Sequence, residues 1–313
     1  MKILICPLNW GLGHATRCIP LIRKLMNEGH ELVIAADGFP LELLKQQFPS
    51  LRFIELPSYA IRYSSGKSQV LAMLRNIPTI AFGVYKEHRW LHKLLKTENF
   101  DQIISDNRFG LWNKNLNAVY ITHQLMIKMP ASLKFFEPIA WYLHRAFILK
   151  YDACWIPDNE GEDNLSGDLS HFYPFPPDYK FVGILSRFQG MENIPANTDF
   201  EVVAIVSGIE PQRTIFEEQI IERFRNADKK VLIVRGKPQK NTETEKRGNI
   251  KLISHLDDKE LAAVLKGADK IICRSGYSSI MDLKTLNCLD KAELSATPGQ
   301  TEQEYLYSIH RKH

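Results

Sequence analysis

Four short turns in this chain carry residue types suited to phosphate and sugar chemistry. The first is Asn9-Trp10-Gly11-Leu12-Gly13-His14-Ala15-Thr16-Arg17, between an apolar run and a helical pattern. Gly11 and Gly13 let the backbone turn tightly and open the N–H groups of the helix start, where about half a positive charge attracts anions. A histidine at that mouth is disfavoured as a cation, so His14 suits a neutral base at pH 7, with a surface or capping role as the alternative. The turn is not G-x-G-x-x-G, because Ala or Thr stands where the third glycine is required. The second turn, Val206-Ser207-Gly208-Ile209-Glu210-Pro211-Gln212-Arg213, offers a hydroxyl and open amides to a diphosphate, or an ordinary cap.

The third turn runs Arg274-Ser275-Gly276-Tyr277-Ser278-Ser279 and continues to Asp282. Arg274, Ser278 and Ser279 are of the types that hold phosphate oxygens, and a carboxylate near such a helix start can accept both hydroxyls of a ribose. A capped helix with an exposed Asp282 is the plain alternative. The fourth, Thr297-Pro298-Gly299-Gln300-Thr301-Glu302-Gln303-Glu304, gathers amides and carboxylates that suit sugar hydroxyls, or cap a charged helix.

These turns need elements to hold them. Apolar runs at Lys2–Cys6, Glu31–Ala36, Arg52–Leu56, Gln102–Ser105 and Asn117–Thr122 predict strands. Helical spacing over Ala15–Asn27, Pro40–Gln47 and Val70–Lys96 alternates with them, which is the grammar of a parallel sheet covered on both faces. Pro, Gly, Asp and Asn gather between 155 and 200, and the connection between domains is expected near 158–186. The grammar then restarts with strands at Glu201–Val206, Lys230–Arg235, Ile250–Ser254 and Lys270–Cys273, and helices at Thr214–Arg225, Asp257–Leu265 and Ser278–Leu286.

Composition sets the bounds. With 313 residues, 44% of them hydrophobic and 24% charged, the chain is too long for one small module and suits two domains, taken as 1–160 and 161–313. Seventeen Gly and sixteen Pro leave no low-complexity bias. Five cysteines without C-x-x-C spacing argue against disulfides and zinc, and read as reduced thiols of a cytoplasmic protein. The opening residues read as a strand rather than a signal peptide, and no run approaches the roughly 20 apolar residues of a membrane span. A net charge of +4 is too mild for a dedicated nucleic-acid binder. It is unevenly spread: residues 50–150 hold 14 Lys and Arg against 6 Asp and Glu. From Arg62 to Lys96 the cations mix with Val70, Leu71, Leu74, Ile77, Ile80, Phe82, Val84, Tyr85, Trp90 and Leu91, a pattern for a peripheral contact with the inner face of a membrane or for a core helix with a basic face.

Together, Gly11-Leu12-Gly13-His14, Ser207-Gly208, His255-Leu256 before Asp257-Asp258, Arg274-Ser275-Gly276 and Pro298-Gly299-Gln300-x-Glu302-Gln303 resemble the MurG-like glycosyltransferases, family 28 and its relatives, over nearly the whole chain. The likeness is to an uncharacterised bacterial branch rather than to the peptidoglycan enzyme. It implies an α/β GT-B fold, two Rossmann-like domains facing a central cleft, and a glycosyltransferase, EC 2.4 in type. Such an enzyme moves a hexose or N-acetylhexosamine from a nucleoside diphosphate sugar, UDP-linked by expectation, to a glycan or lipid-linked acceptor. On this resemblance Ser207 and Gly208 face the diphosphate, Arg235 and Gly236 line the nucleoside pocket, and backbone near His255 and Leu256 reads the base. Arg274, Ser275, Gly276, Ser278 and Ser279 add phosphate contacts, Asp282 takes the ribose where relatives commonly carry Glu, and Gln300 with Gln303 contacts the sugar. The loop of Gly11, Leu12 and Gly13 approaches the leaving diphosphate and the acceptor. His14 is the leading base, with Asp106 and His123 as fallbacks on cleft-facing strand ends. No Asp-x-Asp pair occurs, so no metal-bridged diphosphate and no cofactor are expected.

The pattern departs from the family near its end. Leu289-Asp290-Lys291-Ala292-Glu293-Leu294-Ser295 is not a clean apolar strand, so a degenerate last strand or a chain truncated after the Gln300 cluster is expected. A catalytically impaired nucleotide-sugar binder and a sugar-nucleotide 2-epimerase are the rival readings.

Overall fold

The computed structural model describes residues 1–57, 69–239 and 241–311, with backbone alone over 69–77. The first half runs β1 (Lys2–Pro7), α1 (Gly13–Asn27), β2 (Glu31–Ala36), α2 (Gly38–Gln47), β3 (Arg52–Glu55), α3 (Gln69–Leu94), β4 (Gln102–Asp106) and β5 (Asn117–Ile121). A 3₁₀ turn (Ala131–Phe136) then leads into α4 (Glu137–Ile148), followed by β6 (Ala153–Ile156), α5 (Asp168–His171) and β7 (Tyr179–Phe181). The second half runs β8 (Val202–Ile205), α6 (Gln212–Phe224), β9 (Val231–Val234), β10 (Thr244–Arg247), β11 (Ile250–Ile253), α7 (Asp258–Gly267), β12 (Lys270–Arg274), α8 (Tyr277–Thr285), β13 (Ala292–Ser295) and α9 (Thr301–His310).

Two sheets result. The first is wholly parallel, in the order β3-β2-β1-β4-β5-β6-β7. The second, in the order β10-β11-β9-β8-β12-β13, is parallel except for the β10–β11 hairpin at its edge. Both are α/β sheets wound in opposite directions from a central switch, and β7 carries membership of the first sheet to Phe181.

Alternation along the strands explains the layers. In β1, Ile3 and Ile5 enter the core under α1 and α2, while Leu4 and Cys6 enter the core on the other face with Leu91, Ile103 and Tyr120. The second sheet repeats this with Val202 and Ala204 against Val203, Ile271 and Cys273. Being buried on both faces is why these strands read as continuous apolar runs. All five cysteines are buried and free, and burial pushes the Cys154 and Cys273 thiols up to about 12.

Three elements differ from the sequence expectations. The polar stretch near the end forms a true strand, β13, parallel to β12. Its Leu294 is buried, whereas Glu293 turns outward to Arg223 and Lys270, so an edge strand needs only one apolar side chain and hides its pattern. β10 is exposed throughout and all polar, held by backbone pairing with β11. Third, α4 fills a stretch between β5 and β6 to which the sequence expectations assign no element, although Ile139, Tyr142, Leu143 and Phe147 recur there at helical spacing. Of the basic region, Arg62–Ile77 lies outside the described side chains. In the remainder Leu91 is buried, whereas Phe82 and Tyr85 are exposed beneath Lys86 and Arg89. Among the described residues no helix is long and apolar enough to cross a membrane.

Candidate active site

In an open parallel sheet, the crevice lies at the carboxyl ends of the strands where the strand order reverses. In the first sheet that point is between β1 and β4, and in the second between β8 and β12. The turns that leave these four strands hold Gly11–His14, Asp106, Ser207–Gly208 and Arg274–Gly276. They meet face to face. A Cβ built on Gly11, whose φ is +90°, would stand 3.8 Å from the Cα of Gly208. One built on Gly13 would stand 2.7 Å from Oγ of Ser278, and that hydroxyl donates to the Gly13 carbonyl at 2.9 Å. The Leu12 side chain reaches towards Gly236, which itself sits tightly over the Val206 carbonyl.

Within this cleft a chain of charged groups crosses from one half to the other. Asp106, the last residue of β4, receives Nδ1 of His14 at 2.7 Å and Nε of Arg17 at 2.5 Å, and Arg17 Nη2 also donates to it. Arg17 Nη1 lies 2.9 Å from Nδ1 of His123, and His123 Nε2 lies 2.9 Å from Glu302 at the start of α9. The His123 ring also stacks on Tyr277, centroids 4.2 Å apart.

Chemistry assigns the protons. Burial alone would raise the Asp106 carboxyl, but the charges of Arg17 and His14 and their hydrogen bonds hold it well below the usual carboxylate range. An ionised oxygen only accepts, so His14 carries its proton on Nδ1, and its Nε2 keeps the lone pair. Arg17 Nη2, 2.9 Å from the same Nδ1, then serves Asp106 rather than the ring. Burial and the Arg17 charge push the His14 pKa down, so its imidazole is neutral at pH 7. Nε2 of His14 has no hydrogen-bond partner among the described residues, and the side chain is 13% exposed. That is the arrangement of an oriented general base.

The two fallback bases take other places. Asp106 is fixed by the guanidinium and acts on His14. His123 accepts from Arg17 on one nitrogen and donates to Glu302 from the other, so neither is left for a substrate proton. Arg17 and Glu302 are not evident as site residues from the motifs. The available signal is position: Arg17 follows His14 by three residues on one helix face, and Glu302 stands inside the Pro298–Gln303 cluster.

On the opposite wall, Gly208 is exposed with φ +109° and open space where a Cβ would be, and Ser207 is half-buried. Arg274 is 4% exposed, bonded to the Ala296 carbonyl at 2.8 Å and to Ser295, and lies over the Phe216 ring. Its Nε has no hydrogen-bond partner among the described residues, and burial lowers its pKa to about 10. Gly276 caps α8 in an extended conformation, and Ser278 and Ser279 open its first turn. Ser275 is fully buried and donates to the Gln303 carbonyl, while Gln303 Oε1 accepts from Thr297 N, so both brace the β13–α9 turn. Gln300 stands at the cap of α9. Arg235 pairs with Glu217 at 2.7 Å. His255 is driven down to about 4 by burial and then by Arg187, with Leu256 packed beside the core.

Asp282 departs most from expectation. Instead of facing a ribose it is buried, accepting from Ser186 Oγ at 2.6 Å and Arg187 Nε at 3.2 Å. The connecting segment supplies both donors, and no local motif signals them. On the first half, a cavity of about 640 Å³ opens among Asn9, Asp37, Glu55, Leu56, Pro57 and Trp90, at the ends of β2 and β3.

No protein-family model matches the chain. It is 23% identical over 299 residues to a protein of Methanosarcina acetivorans named uncharacterized glycosyltransferase, covering 90% of this chain and 76% of that one. A protein of the same name from Methanosarcina mazei matches at 23% over 303 residues with the same coverages. Among solved structures, the spinosyn rhamnosyltransferase SpnG matches with a TM-score of 0.59 at 14% identity, over 99% of this chain and 84% of that one. A Listeria monocytogenes protein described as a putative UDP-N-acetylglucosamine 2-epimerase matches with a TM-score of 0.54 at 13% identity, over 99% and 87%. At such identities the likeness shows the fold: two Rossmann-like domains facing a cleft, the GT-B architecture.

Proposed function

We propose that this chain is a glycosyltransferase that moves a hexose or N-acetylhexosamine from a nucleoside diphosphate sugar, UDP-linked in our reading, to an acceptor hydroxyl. The acceptor is a glycan or a lipid-linked one. The observation that carries the reading is the His14–Asp106 pair: a neutral, oriented imidazole in the turn after β1, whose Gly11 closely approaches Gly208 in the turn after β8. The names of the sequence relatives and the MurG-like motifs support it. The half built on the first sheet, which runs through β7 to Phe181, is taken as the acceptor side, and the half built on the second, from β8 on, as the donor side.

The reaction is an in-line displacement without a metal. His14 Nε2 takes the proton of the acceptor hydroxyl as its oxygen attacks the anomeric carbon. The bond from that carbon to the phosphate oxygen breaks, and its electron pair leaves with the diphosphate. Backbone N–H groups at Ser207–Gly208 and the first turn of α8, with Arg274, stabilise the charge that grows there. Each such pre-oriented donor is worth about 3 to 4 kcal/mol when deleted, and a positioned base about 10² to 10⁴ in rate. The cavity beside Trp90 gives the acceptor its room. Asp282 is not assigned to the ribose in this scheme, because two donors already hold it.

The fold is shared with a sugar-nucleotide epimerase, so the test must separate outcomes. The protein is incubated with a panel of labelled UDP-hexoses, with and without an added glycolipid. Release of UDP with transfer of the label supports the proposal. Isomerised sugar supports the epimerase, and binding without turnover supports an impaired binder.

A further inference from the structure

We infer that His88 and His92, near the end of α3, form a two-imidazole site for a first-row transition dication: copper, nickel or zinc. Neither histidine has a part in the reaction proposed above, so the site stands or falls apart from it.

Histidines at i and i+4 lie one above the other on a helix, the spacing at which two rings can share one metal. Here the two Nε2 atoms are 3.1 Å apart and the ring planes cross at 85°. Two nitrogens bound to one metal at about 2.0–2.1 Å stand about 2.9 Å apart at a right angle and about 3.3 Å apart at the tetrahedral angle. The observed separation falls between those values. The pair is therefore spaced for one cation without a change in the helix.

His88 is set for this by its other nitrogen. Its Nδ1 lies 3.1 Å from the Gly110 carbonyl, which only accepts, so the hydrogen sits on Nδ1 and Nε2 keeps its lone pair. A backbone carbonyl on the far nitrogen is the usual brace of a metal-bound histidine. Trp112 holds the same ring, centroids 4.3 Å apart. The brace is itself firm. Gly110 N donates to Glu87 Oε2 at 3.1 Å, and a Cβ on Gly110 would stand 2.4 Å from the Val84 carbonyl, so α3 and the turn after β4 are in close contact.

His92 supplies the second ligand. In the metal-free pair it donates its Nε2 hydrogen to His88 across the 3.1 Å gap. A dication takes the place of that one hydrogen, and His92, exposed at the surface, carries its own on Nδ1 towards water. Among the described residues no group of three or more His, Cys, Asp or Glu could hold a metal, so water fills the remaining positions. Two neutral nitrogens without a carboxylate favour copper over nickel and zinc, and offer nothing to calcium or magnesium, which take oxygen ligands. A cation there pins the last turns of α3 and, through the His88–Gly110 bond, the turn that follows Asp106.

Calorimetry and tryptophan fluorescence of the tag-free protein with Cu²⁺, Ni²⁺, Zn²⁺ and Mg²⁺ test this, read as the difference between the parent and His92→Gln. The parent is expected to bind Cu²⁺ more tightly than Ni²⁺ or Zn²⁺ and to ignore Mg²⁺. The variant replaces an exposed ring, so its circular dichroism matches the parent's, and its affinity at this site drops about 10- to 100-fold or more. Cu²⁺ held by the N-terminal amine and His30 Nδ1, 3.4 Å apart, is common to both proteins and cancels. Zn²⁺ raises the melting temperature of the parent more than that of the variant. Copper at the pair also quenches Trp112, so Trp112→Phe shrinks the quench while keeping the calorimetric site. Equal stoichiometry and affinity in the parent and His92→Gln, no binding by the parent, or an equal response to Mg²⁺ overturns the inference.

Discussion

His14 is competent because of two neighbours with opposite effects. Asp106 fixes the ring with its proton on Nδ1, and burial with Arg17 keeps the ring neutral. In the proposed reaction the unprotonated form is needed, and the pKa is shifted below the ordinary 6.5. The kcat/KM of UDP-sugar turnover is therefore expected to be flat around neutrality and to fall tenfold per pH unit on an acidic limb lying below 6.5, in a direct pH–rate profile. A limb centred above 6.5 contradicts the neutral-base assignment. Arg17 and Asp106 are both about fully buried, so removing one leaves the other uncompensated. Asp106→Ala is expected to lose about 3 to 5 kcal/mol in urea unfolding. Asp106→Asn keeps the volume, and its larger loss of turnover than of donor affinity marks a positioning role. His14, Asp106 and His123 are legible as strand-end residues. The use of the last two is not, because it depends on Arg17, which lies 89 positions from Asp106 and 106 from His123 in sequence.

At the scale of elements, the chain ends leaving β1, β4, β8 and β12 are fixed by topology: each lies beside the point where the order of its sheet reverses. That is why the glycine turns and strand ends can be read from sequence, since their strands are apolar on both faces. The edge strands β10 and β13 are obscured by outward polar side chains. Asp282 shows the same limit in the site: its partners Ser186 and Arg187 belong to an irregular segment about 95 residues away. Gly236 gives a test at this scale. Its φ is +62°, and a Cβ would lie 2.4 Å from the Val206 carbonyl, a backbone atom that cannot swing aside. Gly236→Ala is expected to cost at least about 1 kcal/mol in thermal unfolding and to weaken nucleotide binding. No change in either would mean that the β9 turn does not pack against β8 in this way.

At the scale of the molecule, the halves are joined at the site itself. Ser278 to Gly13, His123 to Glu302 and Arg23 to Asp258 all cross between the sheets. Buried neutral histidines also set an acid limit on the whole. His14, His144 and His255 have folded pKa values below 6.5, the last two at about 4, so each binds its proton only on unfolding. Stability is thus intact above about 6.5 and falls as pH drops towards 4, by about 1.4 kcal/mol per pH unit for each histidine. Urea midpoints measured across that range should decline, and a constant midpoint would contradict the burial of these rings. A nucleoside diphosphate that fills the donor wall adds roughly 2.7 kcal/mol at 100 times its dissociation constant, readable as a rise in melting temperature. The most direct measurement is the single-turnover rate of UDP release from a bound UDP-hexose, with glycolipid acceptor, in the parent and in His14→Ala at matched donor occupancy. A fall of about 10² to 10⁴ with donor affinity preserved is expected. Transfer within a few-fold of the parent would contradict His14 as the base.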